Sequence, residues 1–187
     1  MRDSEGYLTT EQFNHLISFA NNERDKVLLT FLFETGRRVS EVVRCITPRD
    51  FNFQDGMVYF TILKRRTPVR KWVNVKPETI DMMRAFMSNM TEDEYVFPIN
   101  RFRVDQILKA MAEKAGMNMV GKHKLHAHVL RHSYAILKVR KIIEKKGTFG
   151  MEDAMKLQDS LGHFDINSTL FYSKHFGKRD MKEFAEM

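Results

Sequence analysis

Cysteine is nearly absent from this chain, which contains Cys45 as its single thiol among 187 residues. One thiol excludes an intramolecular disulfide framework and any metal site built from several cysteines. The sequence is therefore incompatible with a secreted disulfide scaffold, and we expect a reducing compartment.

Long hydrophobic runs are also missing. The longest apolar stretch, VLLTFLF at 27–33, is far shorter than the roughly 20 residues of a membrane-spanning helix. No charged-then-apolar opening segment with a small-residue cleavage site is present, so no export signal is predicted. The sequence predicts no membrane partner and a cytoplasmic location.

Clusters of negative charge are absent too. Carboxylates are scattered, and none falls in the histidine-rich stretch HAHVLRH at 126–132. Nucleases that depend on Mg²⁺ gather carboxylates around the ion, so we predict neither a metal nor a cofactor. Positive charge is in surplus instead, with a formal net charge of +7. Lys and Arg that bind phosphates release condensed counterions, and this release favours binding. The surplus of positive charge therefore favours a polyanionic partner.

Hydrophobic periodicity predicts a mainly α fold with one small antiparallel β-hairpin, which is an α+β class. Apolar residues recur at helical spacing in most segments, and Gly36 is predicted to end the second helix. The pattern alternates only in MVYFTILK (57–64) and KWVNV (71–75), which the basic turn RRTPVR joins.

Several further helices are predicted, separated by short polar segments. A short helix is expected in RVSEVVRCI (38–46), and a polar, basic loop before His128. Longer helices are predicted from Pro77 through Met90, over 102–116, and from near His128 to Lys146, where Gly147 follows.

The stretch HAHVLRHSYA (126–135) concentrates histidine and arginine at the start of one predicted helix. His128 and Arg131 are three residues apart, so they share a helix face and can reach one ligand. His132 is displaced by roughly 100° from Arg131 and is expected to pack or to cap. This spacing indicates a site for one anion.

Phosphodiester chemistry requires residues of these types. Guanidiniums stabilise the growing charge on non-bridging oxygens, a nucleophile attacks in line, and the leaving alkoxide needs a proton. Arg38, Arg131, a hairpin lysine, histidines and a tyrosine together form such a set.

Four segments carry a family resemblance. TGRRVSEV (35–42), the basic hairpin, HVLRH (128–132) and LGHFDINSTLFY (161–172) follow one another in this order. They resemble the catalytic domain of tyrosine recombinases, the phage-integrase and Xer family, whose boxes read TGxRxSEL, HxLRH and LGHxxxxxTxxxY. The resemblance extends from LTTEQF (8–13) to the tyrosine helix, and it implies the fold of that DNA breaking-rejoining domain.

The resemblance implies which residues hold the scissile phosphate. Arg38 and Arg131 match the two clamping arginines, and the register of the first box selects Arg38 over its neighbour Arg37. His163 matches the position that hydrogen-bonds the phosphate, and Glu41 matches the acidic residue that supports the arginine pocket.

The resemblance also implies which residues attack the phosphate and which transfer protons. Tyr172 matches the nucleophile that forms a 3′-phosphotyrosine while a 5′-hydroxyl leaves, and His128 matches the histidine that assists proton transfer. Lys64 matches the hairpin lysine that protonates the leaving oxygen, with Lys71 as the alternative. The hypothesis fails if the ring of Tyr172 is locked in the interior while the two arginines face separate surfaces.

The implied activity is that of a site-specific recombinase or integrase that needs neither ATP nor metal. Two alternatives stay open: a type IB topoisomerase-like enzyme, and a non-catalytic DNA-binding module of the same fold. The implied partner is double-stranded DNA, and the candidate DNA-contacting residues are Arg65, Arg66, Arg70, Lys71, Lys122 and His126.

The implied organisation is a single catalytic domain over 1–187, with a core at 1–177 and a tail helix at 178–187. Family members usually carry a separate helical DNA-grasping domain ahead of the catalytic one, so the chain is either a fragment or a minimal enzyme that grips DNA from one side. We expect a fragment, with weak, salt-sensitive DNA binding. The resemblance further implies a tetramer on paired sites. The amphipathic tail is expected to dock either on a neighbouring protomer or on its own core.

Overall fold

The computed structural model describes residues 6–62, 68–162 and 166–173. The helices in these ranges are α1 (Thr10–Ile17), α2 (Glu23–Thr35), α3 (Val39–Val42), α4 (Pro77–Phe86), α5 (Arg101–Lys114), α6 (Ala127–Lys146), α7 (Met151–Leu161) and α8 (Asn167–Ser173). The strands are β1 (Phe51–Asn52), β2 (Met57–Ile62), β3 (Val69–Asn74), β4 (Met119–Val120) and β5 (His123–Lys124). The predicted mainly α class is confirmed.

The predicted hairpin is confirmed as the antiparallel pair β2–β3, and β1 adds a third strand on the outer side of β2. Val58, Phe60 and Ile62 alternate inward along β2, as expected for a strand with one face on the core. Lys71 pairs with Phe60 across the ladder and therefore shares that inward face.

The prediction of a single hairpin was incomplete. Strand β1 is only two residues long, which is too short for a visible alternation. The stretch predicted as a basic loop contains a second ladder, β4–β5, whose turn passes through Gly121 at φ +58°. Only glycine adopts this left-handed conformation without steric cost, which explains the tight reversal.

Two helices are shorter than predicted. The helix that starts at Pro77 ends at Phe86 rather than Met90, because the chain turns at Met87. Helix α3 covers four residues, because Val43 is extended and Arg44 takes a φ of +50°. The backbone that follows α3 bonds to residues 96–97 instead of continuing the helix.

The remaining helix ends follow local capping chemistry. Asn22 caps α2 by accepting a hydrogen bond from the Asp25 amide, and Gly36 ends the helix in the left-handed region. His126 caps α6, and Gly147 ends it in the same left-handed manner, as the sequence predicts.

The buried hydrophobic side chains of the described residues pack into two clusters. The larger cluster surrounds α2, which packs against α4 and α6. A smaller cluster joins the second half of α6 to α7 and α8, and it contains Ala135, Ile136, Val139, Ile143, Leu157, Leu161 and Tyr172. No described helix has both the length and the apolar character that crossing a membrane requires. The predicted tail helix at 178–187 lies outside the described residues.

Candidate active site

A small cavity lies where the first turns of α3, α5 and α6 meet. Its volume is about 80 Å³, which corresponds to roughly two or three water molecules. A phosphate-sized group is compatible with this space. The lining consists of Arg37, Arg38, Val39, Ser40, Arg101, Ala127, His128 and Arg131.

Three of the predicted catalytic residues therefore come together. Arg38, His128 and Arg131 line one cavity, although Arg38 is separated from Arg131 by more than ninety positions in the chain. The two guanidiniums do not face separate surfaces.

Arg131 is buried and joins the ends of two helices. Its Nη1 donates to the carbonyl of Gly36 at 2.8 Å, and its Nη2 donates to the carbonyl of Leu161 at 2.9 Å. Gly36 ends α2 and Leu161 is the last residue of α7, so the cation meets two partially negative helix C-termini. Burial lowers the pKa of Arg131 to about 10, which leaves the guanidinium protonated at neutral pH.

Arg38 caps the short helix α3 and is held by Glu41. Its Nη1 donates to Oε1 of Glu41 at 2.8 Å, and its backbone amide donates to Oε2 at 3.2 Å. The carboxylate of Glu41 is fully buried, whereas the side chain of Arg38 is 20% exposed. The carboxylate therefore restrains the arginine from behind and leaves part of the guanidinium open to the cavity.

Arg37 is buried, a position that the sequence reasoning missed. Its guanidinium lies 4.8 Å from the ring centre of Phe60, and its Nη2 donates to the carbonyl of Ser160. Nη1 lies 3.8 Å from Oε2 of Glu41, but within the described part of the chain neither Nη1 nor Nε has a hydrogen-bond acceptor. Burial lowers the pKa of Arg37.

His128 lies at the open edge of the cavity. Partial burial of the ring lowers its pKa below the ordinary 6.5, and the positive charges of Arg131, His126, Arg38 and Arg101 lower it further. The imidazole is therefore neutral at pH 7 and able to accept a proton. His126 fixes the start of this helix, because its Nδ1 accepts a hydrogen bond from the His128 amide at 3.2 Å.

Tyr172 lies on α8 with its ring packed into the smaller cluster. The residue is only 5% exposed, and its ring centre lies 5.1 Å from that of His132. Burial raises the pKa of Tyr172, while the charges of Arg131 and Arg38 act in the opposite direction. The sequence hypothesis fails if the Tyr172 ring is buried and the two arginines face separate surfaces. The structure shows the buried ring, but Arg38 and Arg131 line the same cavity.

The hairpin residues take different positions. Lys71 lies on the inward face of the sheet and forms an ion pair with Asp159 on α7. The next residue, Ser160, supplies the carbonyl that accepts a hydrogen bond from Arg37. Arg70 lies on the opposite face, paired with Asp50 and stacked 4.2 Å from the ring centre of Tyr59. These two candidate DNA contacts therefore diverge. Four predicted site residues lie outside the described residues, namely Lys64, Arg65, Arg66 and His163.

The remaining candidates lie on the surface. Lys122 is exposed in the turn between β4 and β5, and His126 is exposed at the start of α6. Among the described residues, no group of three or more His, Cys, Asp and Glu side chains could hold a metal ion.

A larger cavity of about 550 Å³ lies between α1, α2 and α6. Its cations are partly neutralised, since Lys76 pairs with Glu34 and Arg140 pairs with Glu144. It contains none of the predicted catalytic residues, so it is a weaker candidate for a phosphate site.

Comparison with known proteins identifies relatives along nearly the whole chain. The sequence profile described as "Phage integrase family" matches residues 6–179. Tyrosine recombinase XerC of Xanthomonas campestris pv. campestris is 32% identical over 158 residues, which cover 80% of this chain and 44% of the relative. The chain spans about half the length of the curated relatives it matches, including tyrosine recombinase XerA of Saccharolobus solfataricus, of which it covers 50%.

Solved structures of such enzymes share the fold. The XerH site-specific recombinase bound to difH substrate in a pre-cleavage complex superposes with a TM-score of 0.68 at 18% identity, covering 91% of this chain and 50% of that one. A lambda integrase dimer bound to a COC′ core site gives a TM-score of 0.68 at 16% identity, covering 92% and 49% respectively. The predicted catalytic-domain fold is confirmed by these superpositions.

Proposed function

Because the chain belongs to the phage integrase family, we propose that it is a site-specific DNA recombinase or integrase that cleaves and rejoins strands through a covalent 3′-phosphotyrosine. The observation that carries this proposal is the shared cavity of Arg38, His128 and Arg131. It combines two permanent cations with a neutral imidazole in a space that accepts one phosphate group.

The proposed chemistry begins at the scissile phosphate. The guanidiniums of Arg38 and Arg131 bind its non-bridging oxygens and stabilise the charge that grows in the transition state. The remaining hydrogens of Arg131 are available, because each terminal nitrogen uses one hydrogen for a helix carbonyl. The arginine thus holds the phosphate and both helix ends at once.

Strand cleavage then exchanges one phosphate ester for another. The oxygen of Tyr172 attacks phosphorus, the bond from phosphorus to the 5′-oxygen breaks, and the enzyme becomes joined to the 3′-phosphate. His128 accepts the phenolic proton, which its lowered pKa permits at neutral pH. The leaving 5′-oxygen receives a proton from Lys64, or from Lys71, which lies beside the end of α7. Attack of a 5′-hydroxyl reverses these steps and rejoins the strand.

The nucleophile must leave its buried position before it can attack. Burial of the Tyr172 ring and the raised pKa of its hydroxyl both disfavour reaction in the DNA-free state. Exposing one aromatic ring costs about 2 kcal/mol, which phosphate contacts are able to offset. We therefore propose that DNA binding draws the ring of Tyr172 toward the cavity, so that cleavage is restricted to the complex.

Double-stranded DNA and self-association are proposed on the same basis. The XerH structure is described as bound to difH substrate, and the lambda integrase structure as a dimer on a core site. The net charge of +7 supports a polyanionic partner.

The test is covalent capture on nicked DNA. We expect the chain to form a covalent adduct with members of a randomised pool of nicked duplexes, because the 5′-hydroxyl fragment diffuses away and prevents rejoining. The adduct should disappear in Tyr172→Phe and persist in EDTA. Tyr95→Phe is the matched control, because Tyr95 is 48% exposed and lies outside the cavity. Loss of the adduct on chelation, or its persistence in Tyr172→Phe, would refute the proposal.

A further inference from the structure

We propose that Arg101 binds the DNA phosphate next to the scissile one, as an additional cation at the rim of the cavity. This inference rests on the proposed function for the identity of its ligand. No family box contains Arg101, and the sequence patterns do not single it out.

The position of Arg101 is the first observation. Its side chain lines the same cavity as Arg38, His128 and Arg131. Its positive charge also contributes to the lowered pKa of His128, which places it within electrostatic range of that imidazole. It is exposed, whereas Arg131 is buried, so it occupies the solvent side of the site.

The backbone around Arg101 is fixed relative to the cavity. The side chain of Asn100 caps α5 by accepting a hydrogen bond from the Arg103 amide at 2.8 Å, which makes Arg101 the first residue of the helix. The carboxylate of Asp105 accepts a hydrogen bond from the Ala127 amide at 3.0 Å and thereby ties α5 to the first residue of α6. Arg101 and His128 are therefore held by two helices joined at their starts.

The charge of Arg101 is not neutralised locally. In the described ranges, no carboxylate forms an ion pair with it, whereas Arg38 is paired with Glu41. Arg37 also lines the cavity, but its Nε and Nη1 are fully buried and are not accessible from the open space. Among the arginines of this lining, Arg101 is therefore the one that is both exposed and without an ion pair in the described ranges, which suits it to an anion from solution.

Solvent exposure separates the roles of the cations. Arg131 is buried and Arg38 is half-buried, so both line the cavity from less exposed positions than Arg101 does. Because Arg101 is exposed at the edge, its guanidinium reaches the next phosphate along the same strand. It contributes mainly to affinity and to placing the strand.

The test compares two arginines on the first turn of the same helix. Arg103 is exposed like Arg101, but it donates to Gln106 and does not line the cavity. Binding of a fluorescent duplex of mixed sequence is measured as a function of salt for Arg101→Ala, Arg101→Lys and Arg103→Ala. We expect Arg101→Ala to weaken binding by about tenfold and to reduce the slope of log affinity against log salt by about 0.9. Arg101→Lys should restore the slope, and Arg103→Ala should leave both values unchanged.

A second measurement asks whether Arg101 and Arg38 hold different phosphates. If they do, the losses of affinity in Arg38→Ala and Arg101→Ala multiply to within about twofold in the double variant. If the losses of affinity in the double variant depart strongly from the product of the single losses, the two arginines share one phosphate and the inference is overturned. Equal losses of affinity in Arg101→Ala and Arg103→Ala would also overturn it. Because no strand cleavage is measured, these outcomes are independent of covalent capture, and thermal melting verifies that each variant is folded.

Discussion

At the scale of single residues, two adjacent arginines of one sequence box have separate tasks. Arg37 is buried over Phe60 and holds the end of α7, whereas Arg38 remains partly exposed and is held by Glu41. Arg131 has both kinds of task, since it binds two helix carbonyls and lines the cavity. An alanine at position 131 would therefore lower stability as well as activity, because each lost hydrogen bond from a charged donor contributes about 1.5–3 kcal/mol.

At this scale we predict the pKa of His128 with and without DNA. Because burial and the surrounding positive charges both disfavour the protonated ring, we expect a pKa below 6.5 for His128 in the DNA-free protein. The imidazole is then neutral above that pKa and becomes charged only as the pH falls through it. A bound phosphate brings negative charge and should raise the pKa. NMR titration of the ring resonances, assigned with His128→Gln, measures both states. A value of 6.5 or higher without DNA, or no rise with DNA, would contradict this expectation.

At the scale of elements, the site is assembled where helices begin and end. The first turns of α3, α5 and α6 supply the cavity lining, and the last carbonyls of α2 and α7 bind the buried arginines. Gly36 is central to this junction. It ends α2 at φ +62°, and a Cβ at this position would lie 2.4 Å from Cδ1 of Tyr134 and 3.0 Å from Cδ2 of Leu161.

At this scale we compare the effect of alanine substitution on stability at two glycines that end helices, Gly36 and Gly147. We expect Gly36→Ala to lower the free energy of unfolding by at least about 2 kcal/mol, because backbone strain and overpacking add. Gly147→Ala should cost about 1 kcal/mol, because its φ is also positive, at +77°, but its Cβ would meet nothing within 4 Å. Urea denaturation measures both values. Covalent capture should fall only in Gly36→Ala, whose carbonyl anchors Arg131, and equal costs in the two variants would argue against the packing described here.

At the scale of the whole molecule, the proposed nucleophile Tyr172 and the proposed phosphate site belong to different packing units. The cavity is built on the larger cluster around α2, whereas Tyr172 belongs to the smaller cluster of α6, α7 and α8. Arg131 links the two units, because it lies on α6 and binds the ends of both α2 and α7.

The prediction at this scale concerns DNA affinity. With a net charge of +7 and a small phosphate cavity, we expect the 187-residue chain alone to bind duplex DNA weakly and with steep salt dependence, because such binding is dominated by counterion release. Fluorescence anisotropy at increasing salt measures it. Nanomolar affinity at physiological salt would contradict the expectation.

By itself, the sequence determined the helical class, the β2–β3 hairpin, the glycine helix ends and the boxes that indicate the family, because these depend on spacing between near neighbours. Only the tertiary structure decided that Arg37 is buried, that Arg101 joins the cavity, that Lys71 pairs with Asp159 on α7, and that the ring of Tyr172 is enclosed. The physical reason is that burial and charge are set by partners distant in the chain. Arg37 binds Ser160, and Arg101 lines a cavity with His128, only once the helices pack. The spacing of neighbouring residues does not predict these contacts.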